Sequence, residues 1–329
     1  MREIVIQKND AGQRLDKFLA KAIPSLPPAL LYKSIRLKKI KVNRKRAEGK
    51  QMLCEGDTLQ LFLAEEFFEH GDGNRHALFS VMPHLDIVYE DENIILLNKR
   101  PGVSVHEDDK GDTDTLITHL QAYLAQKGEY DPDGEQSFAP ALCNRIDRNT
   151  GGIVIAAKNA ESLREMNAAI KAHRLDKRYL CAVHGTPRPA SATVEGYLRK
   201  DAEGNTVRVY DDHPPRDAKP IKTAYKTLAA HDGLSLLEVR LFTGRTHQIR
   251  AHMAHLGYPL LGDGKYGVNR SDRARGYKYQ ALWSYRLSFD FPMTDTLSYL
   301  NGRVFSVPYE KIYFLSLFPS FGEKHEKKK

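Results

Sequence analysis

The chain of 329 residues carries a formal net charge of +8, and 41% of its residues are hydrophobic. This composition is typical of a soluble globular protein and excludes a chain too polar to form a core. No apolar run reaches the roughly 18 residues that a membrane span requires, and charged residues stand where a secretory signal needs an apolar stretch. We therefore expect a cytoplasmic protein whose basic charge suits a polyanionic partner without proving one.

The N-terminal region is predicted to form a small domain over residues 1–64. Apolar side chains of residues 14–23 recur on one helical face, and a second helix is expected over 29–38 after a proline-containing break. Short strands are predicted over 40–43 and 59–63.

A strongly basic segment lies within this small domain. Residues 33–50 include nine basic residues and one acidic residue, Glu48. A solvated helix face normally carries both signs of charge, so the one-sided charge favours contact with RNA over simple solvation. The predicted RNA contacts are Lys33, Arg36, Lys38, Lys39, Lys41, Arg44 and Lys45.

A change of composition predicts a linker over 65–85, a large domain over 86–321 and a disordered basic tail over 322–329. One helix is expected to begin at Asn159, with Leu163, Met166 and Ile170 inward. Another begins near Thr246 and ends at Gly257. Strands are predicted over 94–97, 153–157, 179–184, 222–227 and 236–242. Because strands and helices do not alternate regularly, we predict an α+β fold rather than a doubly wound sheet.

The most informative segment runs from Asn144 to Gly152 and leads into the apolar strand 153–157. Its carboxylate, Asp147, stands between two arginines, and nearby positive charges hold a carboxylate ionised. An ionised carboxylate can act as a nucleophile or as a base. From the residues alone, an aspartate that only caps the turn and pairs with an arginine is the favoured interpretation, since structural ion pairs are common.

Two later segments carry further polar residues. Tyr179 follows Lys177 and Arg178 on a predicted strand, where a half-buried tyrosine usually belongs to the core. Residues 242–252 place many hydrogen-bond donors at a predicted helix start. The histidines there, His247, His252 and His255, lack a metal-binding spacing and a nearby carboxylate, so we expect no metal site.

Taken together, these segments resemble the RluA family of pseudouridine synthases. The family pattern is His-Arg-Leu-Asp-x-x-Thr-Ser-Gly, then Lys-x-Tyr, then Gly-Arg-Thr-His-Gln-Ile/Leu-Arg. Residues 98–102 and 257–263 extend the match upstream and downstream. The N-terminal region resembles an S4-type RNA-binding domain, through residues 14–16 and 42–43. Three residues depart from the family pattern: Asn144 replaces histidine, Ile146 replaces leucine, and Gly151 replaces serine.

The resemblance implies an enzyme that isomerises uridine to pseudouridine, with a mixed, largely antiparallel central sheet and flanking helices. Asp147 would be the catalytic nucleophile or base, and Arg250 would pair with it. Tyr179 and Ile249 would contact the uracil ring, and Tyr179 would also help to remove the C5 proton. Arg145 would fill the space left by the flipped base or steady the flipped nucleotide. No cofactor is expected, because the reaction involves no net redox change. We expect a monomer with ribosomal RNA of the large subunit as its partner.

Three alternatives stay open at this stage. Transfer RNA is the other candidate substrate. A non-catalytic RNA-binding or ribosome-assembly protein on the same fold would not need Asp147. A glycosidase that cleaves without rejoining would need two carboxylates flanking the bond, and Asp147 is the one candidate.

Overall fold

The structure is a computed structural model that describes residues 1–68, 75–107, 111, 113–132, 134–201, 204, 206–267 and 269–321. The strands in these ranges are β1 (Arg2–Val5), β2 (Ile40–Val42), β3 (Lys45–Arg46), β4 (Thr58–Leu61), β5 (Ile87–Glu90), β6 (Ile94–Lys99), β7 (Ala141–Leu142), β8 (Gly151–Ala157), β9 (Leu175–His184), β10 (Ser191–Lys200), β11 (Val207–Tyr210), β12 (Lys219–His231), β13 (Leu234–Leu241), β14 (Leu282–Phe289) and β15 (Val304–Ser306). The helices are α1 (Leu15–Ala22), α2 (Pro28–Arg36), α3 (Arg75–Ser80), α4 (Leu116–Gln126), α5 (Ala160–Lys171), α6 (Gln248–His255) and α7 (Asn269–Ala274). No helix among the described residues is long and apolar enough to cross a membrane.

The N-terminal strands form a four-stranded antiparallel sheet in the order β1-β4-β2-β3. Helices α1 and α2 share a core with this sheet, and Phe18, Leu19 and Leu59 are fully buried in it. Near the start of α1, Arg14 donates two hydrogen bonds to the buried Asp16 carboxylate, which also accepts one from the Tyr32 hydroxyl. The N-terminal region therefore has its own hydrophobic core.

The remaining strands form one large sheet, whose main path is β11-β10-β12-β13-β9-β14-β8-β6-β5. Neighbouring strands pair antiparallel, except that β14 runs parallel to β8. The prediction of an α+β fold with a largely antiparallel sheet is confirmed.

Helices cover both faces of this sheet. On one face, α4 packs beside β6 and β8, and α6 packs beside β9, β12 and β13. On the other face, α5 and the aromatic C-terminal segment form the largest core cluster. Because both faces are covered, all seven residues of β8 are buried, which explains its unbroken run of small and apolar residues.

Several predicted elements occur with different bounds. The predicted strand over 222–227 extends over Lys219–His231, because it pairs along its length with both β10 and β13. Asn159 caps α5 as predicted, accepting a hydrogen bond from the Ser162 N–H. Met166 is buried as expected, but Leu163 is only half-buried, and Ala169 completes the inward face.

The predicted linker contains regular structure. A 3-10 helix forms at Glu65–Phe67, and α3 packs against α4. Residues 69–74 of this segment, and the predicted tail over 322–329, lie outside the described residues.

Candidate active site

Asp147 lies in the loop between β7 and β8, on the sheet face that α4 and α6 cover. Its neighbour Ile146 packs into the α4 cluster, while the Asp147 carboxylate points towards α6. The Asp147 carbonyl accepts a hydrogen bond from the Thr150 N–H at 2.9 Å, which closes the turn. The loop therefore presents the carboxylate at the junction between the two helix-covered halves of the sheet.

Two of the residues that depart from the family pattern have a structural explanation here. A Cβ atom at Gly151 would lie 2.4 Å from the Trp283 ring, so the indole occupies the space that a serine side chain would need. The side-chain amide oxygen Oδ1 of Asn144 accepts a hydrogen bond from the Ile155 N–H at 2.7 Å and so joins the loop to β8.

Arg250 connects Asp147 to a second, fully buried carboxylate. Its Nη1 atom donates to Asp147 Oδ2 at 2.9 Å. Its Nε and Nη2 atoms donate to the two carboxylate oxygens of Asp263 at 2.7 and 2.8 Å. Asp263 also accepts backbone N–H groups of Lys265 and Tyr266. This bidentate pairing holds the guanidinium in one orientation.

The charges of this network support one another. Burial alone would raise the pKa of Asp263, but Arg250 holds it below its usual value. Burial alone would lower the pKa of Arg250, but its two carboxylate partners raise it. The side chain of Asp147 is 25% exposed, and among the described residues its Oδ1 atom accepts no hydrogen bond. One oxygen is thus anchored and the other is open to a substrate.

His247 lies beside the same carboxylate. Its Nε2 atom is 3.8 Å from Asp147 Oδ2, and its Nδ1 atom is 2.8 Å from the Tyr266 hydroxyl. Burial lowers the pKa of His247 to about 4 against the raising effect of Asp147. The imidazole is therefore neutral at physiological pH. Its backbone adopts a left-handed conformation, with φ of 54°, immediately before α6.

Tyr179 and Ile249 pack in one cluster beneath the site, and both are buried. Burial raises the pKa of Tyr179 to about 12, with a smaller opposing effect of its hydrogen bond to Ser284. Its phenol therefore stays protonated at physiological pH, which favours a packing role over removal of a proton. The structure brings the predicted site residues Asp147, Tyr179, Ile249 and Arg250 together.

Arg145 has a different environment from these residues. It is exposed, and it forms no ion pair with a described residue. Together with burial, its charge lowers the pKa of His106. Its guanidinium, in the same loop as Asp147, is thus not held by a carboxylate of the described residues.

Lys99 and Asp263 were not among the predicted site residues. Lys99 is 1% exposed, and its ammonium donates to the carbonyls of Arg100, Val103 and Arg148, so it joins β6 to the Asp147 loop. Burial lowers its pKa to about 7, and the charge of Asp147 opposes that shift. Both residues lie in segments that match the family pattern, 98–102 and 257–263. That match is the feature of the sequence that could have identified them as site residues.

Comparison with known proteins identifies this arrangement. Residues 93–255 match the family model described as RNA pseudouridylate synthase. An uncharacterized RNA pseudouridine synthase of Mycoplasma pneumoniae is 35% identical over 291 residues, covering 87% of this chain and 88% of the relative. The ribosomal large subunit pseudouridine synthase C of Vibrio parahaemolyticus is 29% identical over 302 residues, covering 90% and 91%.

A solved structure shares the fold. The human protein named RNA Pseudouridylate Synthase Domain Containing 1 aligns with a TM-score of 0.56 at 21% identity, covering 72% of this chain and 87% of that one. The tertiary structure agrees with the family that the sequence comparisons show. The chain belongs to the RNA pseudouridylate synthase family and is an enzyme that isomerises uridine in RNA to pseudouridine.

Proposed function

We propose that Asp147 starts the reaction, either by attacking ribose C1′ or by removing a ribose proton to give a glycal. The observation that carries this proposal is the hydrogen bond from Arg250 to one carboxylate oxygen, which leaves the other oxygen open. Arg250 orients the Asp147 carboxylate, and Asp263 holds Arg250 in place. Such preorganisation lowers the cost of bringing the reacting atoms together.

The target uridine leaves its stack before reaction, which costs a few kcal/mol and costs least where the base is unpaired. Tyr179 and Ile249 then pack against the uracil ring, and Arg145 fills the space that the base leaves in the RNA. The exposure of Arg145 and its lack of an ion pair with the described residues support this role.

The N-terminal region, residues 1–64, acts as an S4-like RNA-binding domain joined through residues 65–85 to the catalytic domain at 86–321. Support comes from its separate core and from its exposed cations. Among the described residues, none of the following forms an ion pair: Lys33, Arg36, Lys38, Lys39, Lys41, Arg44 and Lys45. Such cations contact phosphates and position the RNA without reading its sequence.

The substrate is large-subunit ribosomal RNA. Relatives from Vibrio and Salmonella that match about nine-tenths of this chain are named ribosomal large subunit pseudouridine synthases. Transfer RNA is the alternative that the experiment must separate.

The test is a map of pseudouridines in ribosomal and transfer RNA from cells that lack this protein. The cells are then complemented with the wild type or with Asp147→Asn, which preserves the size of the side chain. We expect pseudouridines missing from large-subunit RNA to return with the wild type only. The purified variant should be slower by at least about 10³-fold and should unfold at the wild-type urea concentration.

Two other results would change the proposal. Sites missing only from transfer RNA would replace the proposed substrate class. Full complementation by Asp147→Asn would contradict the role of Asp147.

A further inference from the structure

A cleft of about 240 Å³ opens where the central strands of the large sheet end, beside the loop that leads from β13 to α6. It is bounded by the turn from α5 into β9, by the end of β13 and by the loop that follows β13. Its charged or titratable lining residues are His173, Arg174, Asp176, Lys177, Arg240 and Asp290. Asp147 does not line it, so this cleft is separate from the reaction centre.

The cleft contains cations without internal partners. Asp176 is paired with Arg178 and Arg240 at 3.0 and 2.6 Å. Neither Arg174 nor Lys177 forms an ion pair or a side-chain hydrogen bond with any described residue. The exposed Asp290 side chain forms no ion pair with the described residues either.

Lys177 is unusual because it is half-buried as well as unpaired. Burial is the cause that lowers its pKa, and no charged neighbour contributes. Holding an ammonium partly out of water without a counter-ion costs stability. A bound anion would remove that cost by restoring a partner.

The position of Lys177 relates the cleft to the reaction centre. Lys177 and Tyr179 are two residues apart on β9 and so lie on the same face of the sheet, with Cα atoms about 7 Å apart. A Cβ atom on Gly244 would lie 3.7 Å from the Lys177 ammonium. Because Gly244 has no side chain, the ammonium stays accessible from the loop that leads to α6.

We propose that this cleft binds a backbone phosphate of the substrate RNA beside the target nucleotide, with Lys177 and Arg174 as the cationic contacts. The proposal rests on the proposed function in one respect: it assumes that the bound RNA strand places its target uridine at Asp147. Charge-assisted hydrogen bonds to phosphate suit both side chains. The unpaired Lys177 ammonium would gain the counter-ion that the protein itself does not supply.

The experiment is a double-mutant cycle between protein and RNA, read out as binding affinity. Lys177→Met removes the charge and keeps the stem, and single methylphosphonates remove the charge of one phosphate at a time around the target uridine. The RNA is whichever class the wild type modifies, so failure of the ribosomal assignment leaves this test intact. Lys226→Met is the matched control, since Lys226 is exposed on the opposite face of the sheet from Tyr225.

We expect Lys177→Met to weaken binding about tenfold at low salt and to reduce the slope of log affinity against log salt by about one. One methylphosphonate position should weaken the wild type to a similar degree while scarcely affecting Lys177→Met. Lys226→Met should behave like the wild type towards every RNA. Gly244→Leu, which fills the cleft without changing its charge, should weaken binding as well.

The stability of the variant separates this role from a structural one. Since the half-buried ammonium has no ion-pair partner in the part of the chain that the structure describes, Lys177→Met should unfold at the wild-type urea concentration or above it. Wild-type affinity in Lys177→Met, or methylphosphonate effects that are equal in both proteins at every position, would overturn the proposal.

Discussion

At the scale of single residues, the site depends on an arginine held between two carboxylates. Arg250 is buried, and its side chain would be free to rotate if Asp147 were its only anchor. Asp263 supplies two further hydrogen bonds from a fully buried position. Asp263 therefore acts as a positioning residue, because it orients the guanidinium that contacts the Asp147 carboxylate.

Asp263→Asn should reduce both stability and activity, although Asp263 does not touch Asp147. The amide replaces one of the two acceptor oxygens by an NH2 donor facing the guanidinium, so the bidentate pairing is lost and a buried cation is left poorly paired. This should cost about 3 kcal/mol of unfolding free energy. The catalytic rate should fall by about tenfold or more, because the guanidinium no longer holds Asp147 in one geometry. Urea unfolding and single-turnover rates measure the two effects.

The matched control is Asp211→Asn. Asp211 forms an exposed ion pair with His255, which also belongs to α6. Exposed pairs contribute little to stability, so this variant should match the wild type in both measurements. Wild-type rates in Asp263→Asn would show that the orientation of Arg250 does not depend on Asp263.

At the scale of the elements, α6 combines catalytic and structural constraints. Its N-terminal flank contains the left-handed His247, and its buried face carries Ile249, Arg250 and Met253. His252 is also buried, and its Nδ1 atom lies 3.1 Å from the Thr223 hydroxyl of β12. The helix is thus joined to the sheet by polar contacts as well as by apolar packing.

The buried histidine makes the stability of this region depend on pH. Burial lowers the pKa of His252 to about 4, against roughly 6.5 in the unfolded chain. The unfolded state therefore binds more protons between these values, and the stability from neutral His252 is present above about 6.5 and lost as the pH falls through 4. The loss should reach about 3 kcal/mol.

His252→Gln should remove this contribution, so the unfolding free energy of the variant should fall less steeply from pH 6.5 to 4 than that of the wild type. Urea unfolding at a series of pH values measures the slope. His231→Gln, at an exposed position, should leave the slope unchanged. Parallel acid profiles for the wild type and His252→Gln would contradict the prediction.

At the scale of the whole molecule, two separately packed regions meet through a few polar contacts. The Asn9 amide donates to Glu135 at 2.7 Å, and the Ser137 hydroxyl donates to Asp10 at the same distance. Arg164 of α5 donates to the Ala11 carbonyl. The N-terminal region that carries these cations is therefore joined to the larger region by polar contacts, while the cations lie outside the core of the larger region.

Substituting Lys33, Arg36 and Lys39 together by glutamine should weaken RNA binding mainly at low salt. The slope of log affinity against log salt should fall by about three, one for each phosphate contact. The rate at saturating RNA should not change, because none of the three lies in the catalytic site. Titrations at several salt concentrations and single-turnover rates test both statements.

A control with the same loss of charge uses Lys8, Lys17 and Lys21, which are exposed in the same region but outside residues 33–50. This triple variant should keep the wild-type slope. Equal effects of the two triple variants would show that the region attracts RNA by its net charge alone.

Local chemistry determined much of this protein from the sequence by itself. Apolar periodicity placed α1, α5 and α6, and an asparagine and a glycine marked two of their ends, because these signals act within one or two turns of chain. The motifs around Asp147, Tyr179 and Arg250 indicated the enzyme family, which the comparison with known proteins confirms.

Only the tertiary structure decided what depends on residues distant in sequence. Asp263 reaches Arg250 through a turn after α6, and the Trp283 ring requires glycine at position 151 from a strand more than a hundred residues later. Lys177 is distinctive because its ammonium is half-buried without an ion-pair partner among the described residues. Hydrophobic periodicity records which face of an element is buried, but it does not record which charges meet there, because those contacts join residues that are far apart in the chain.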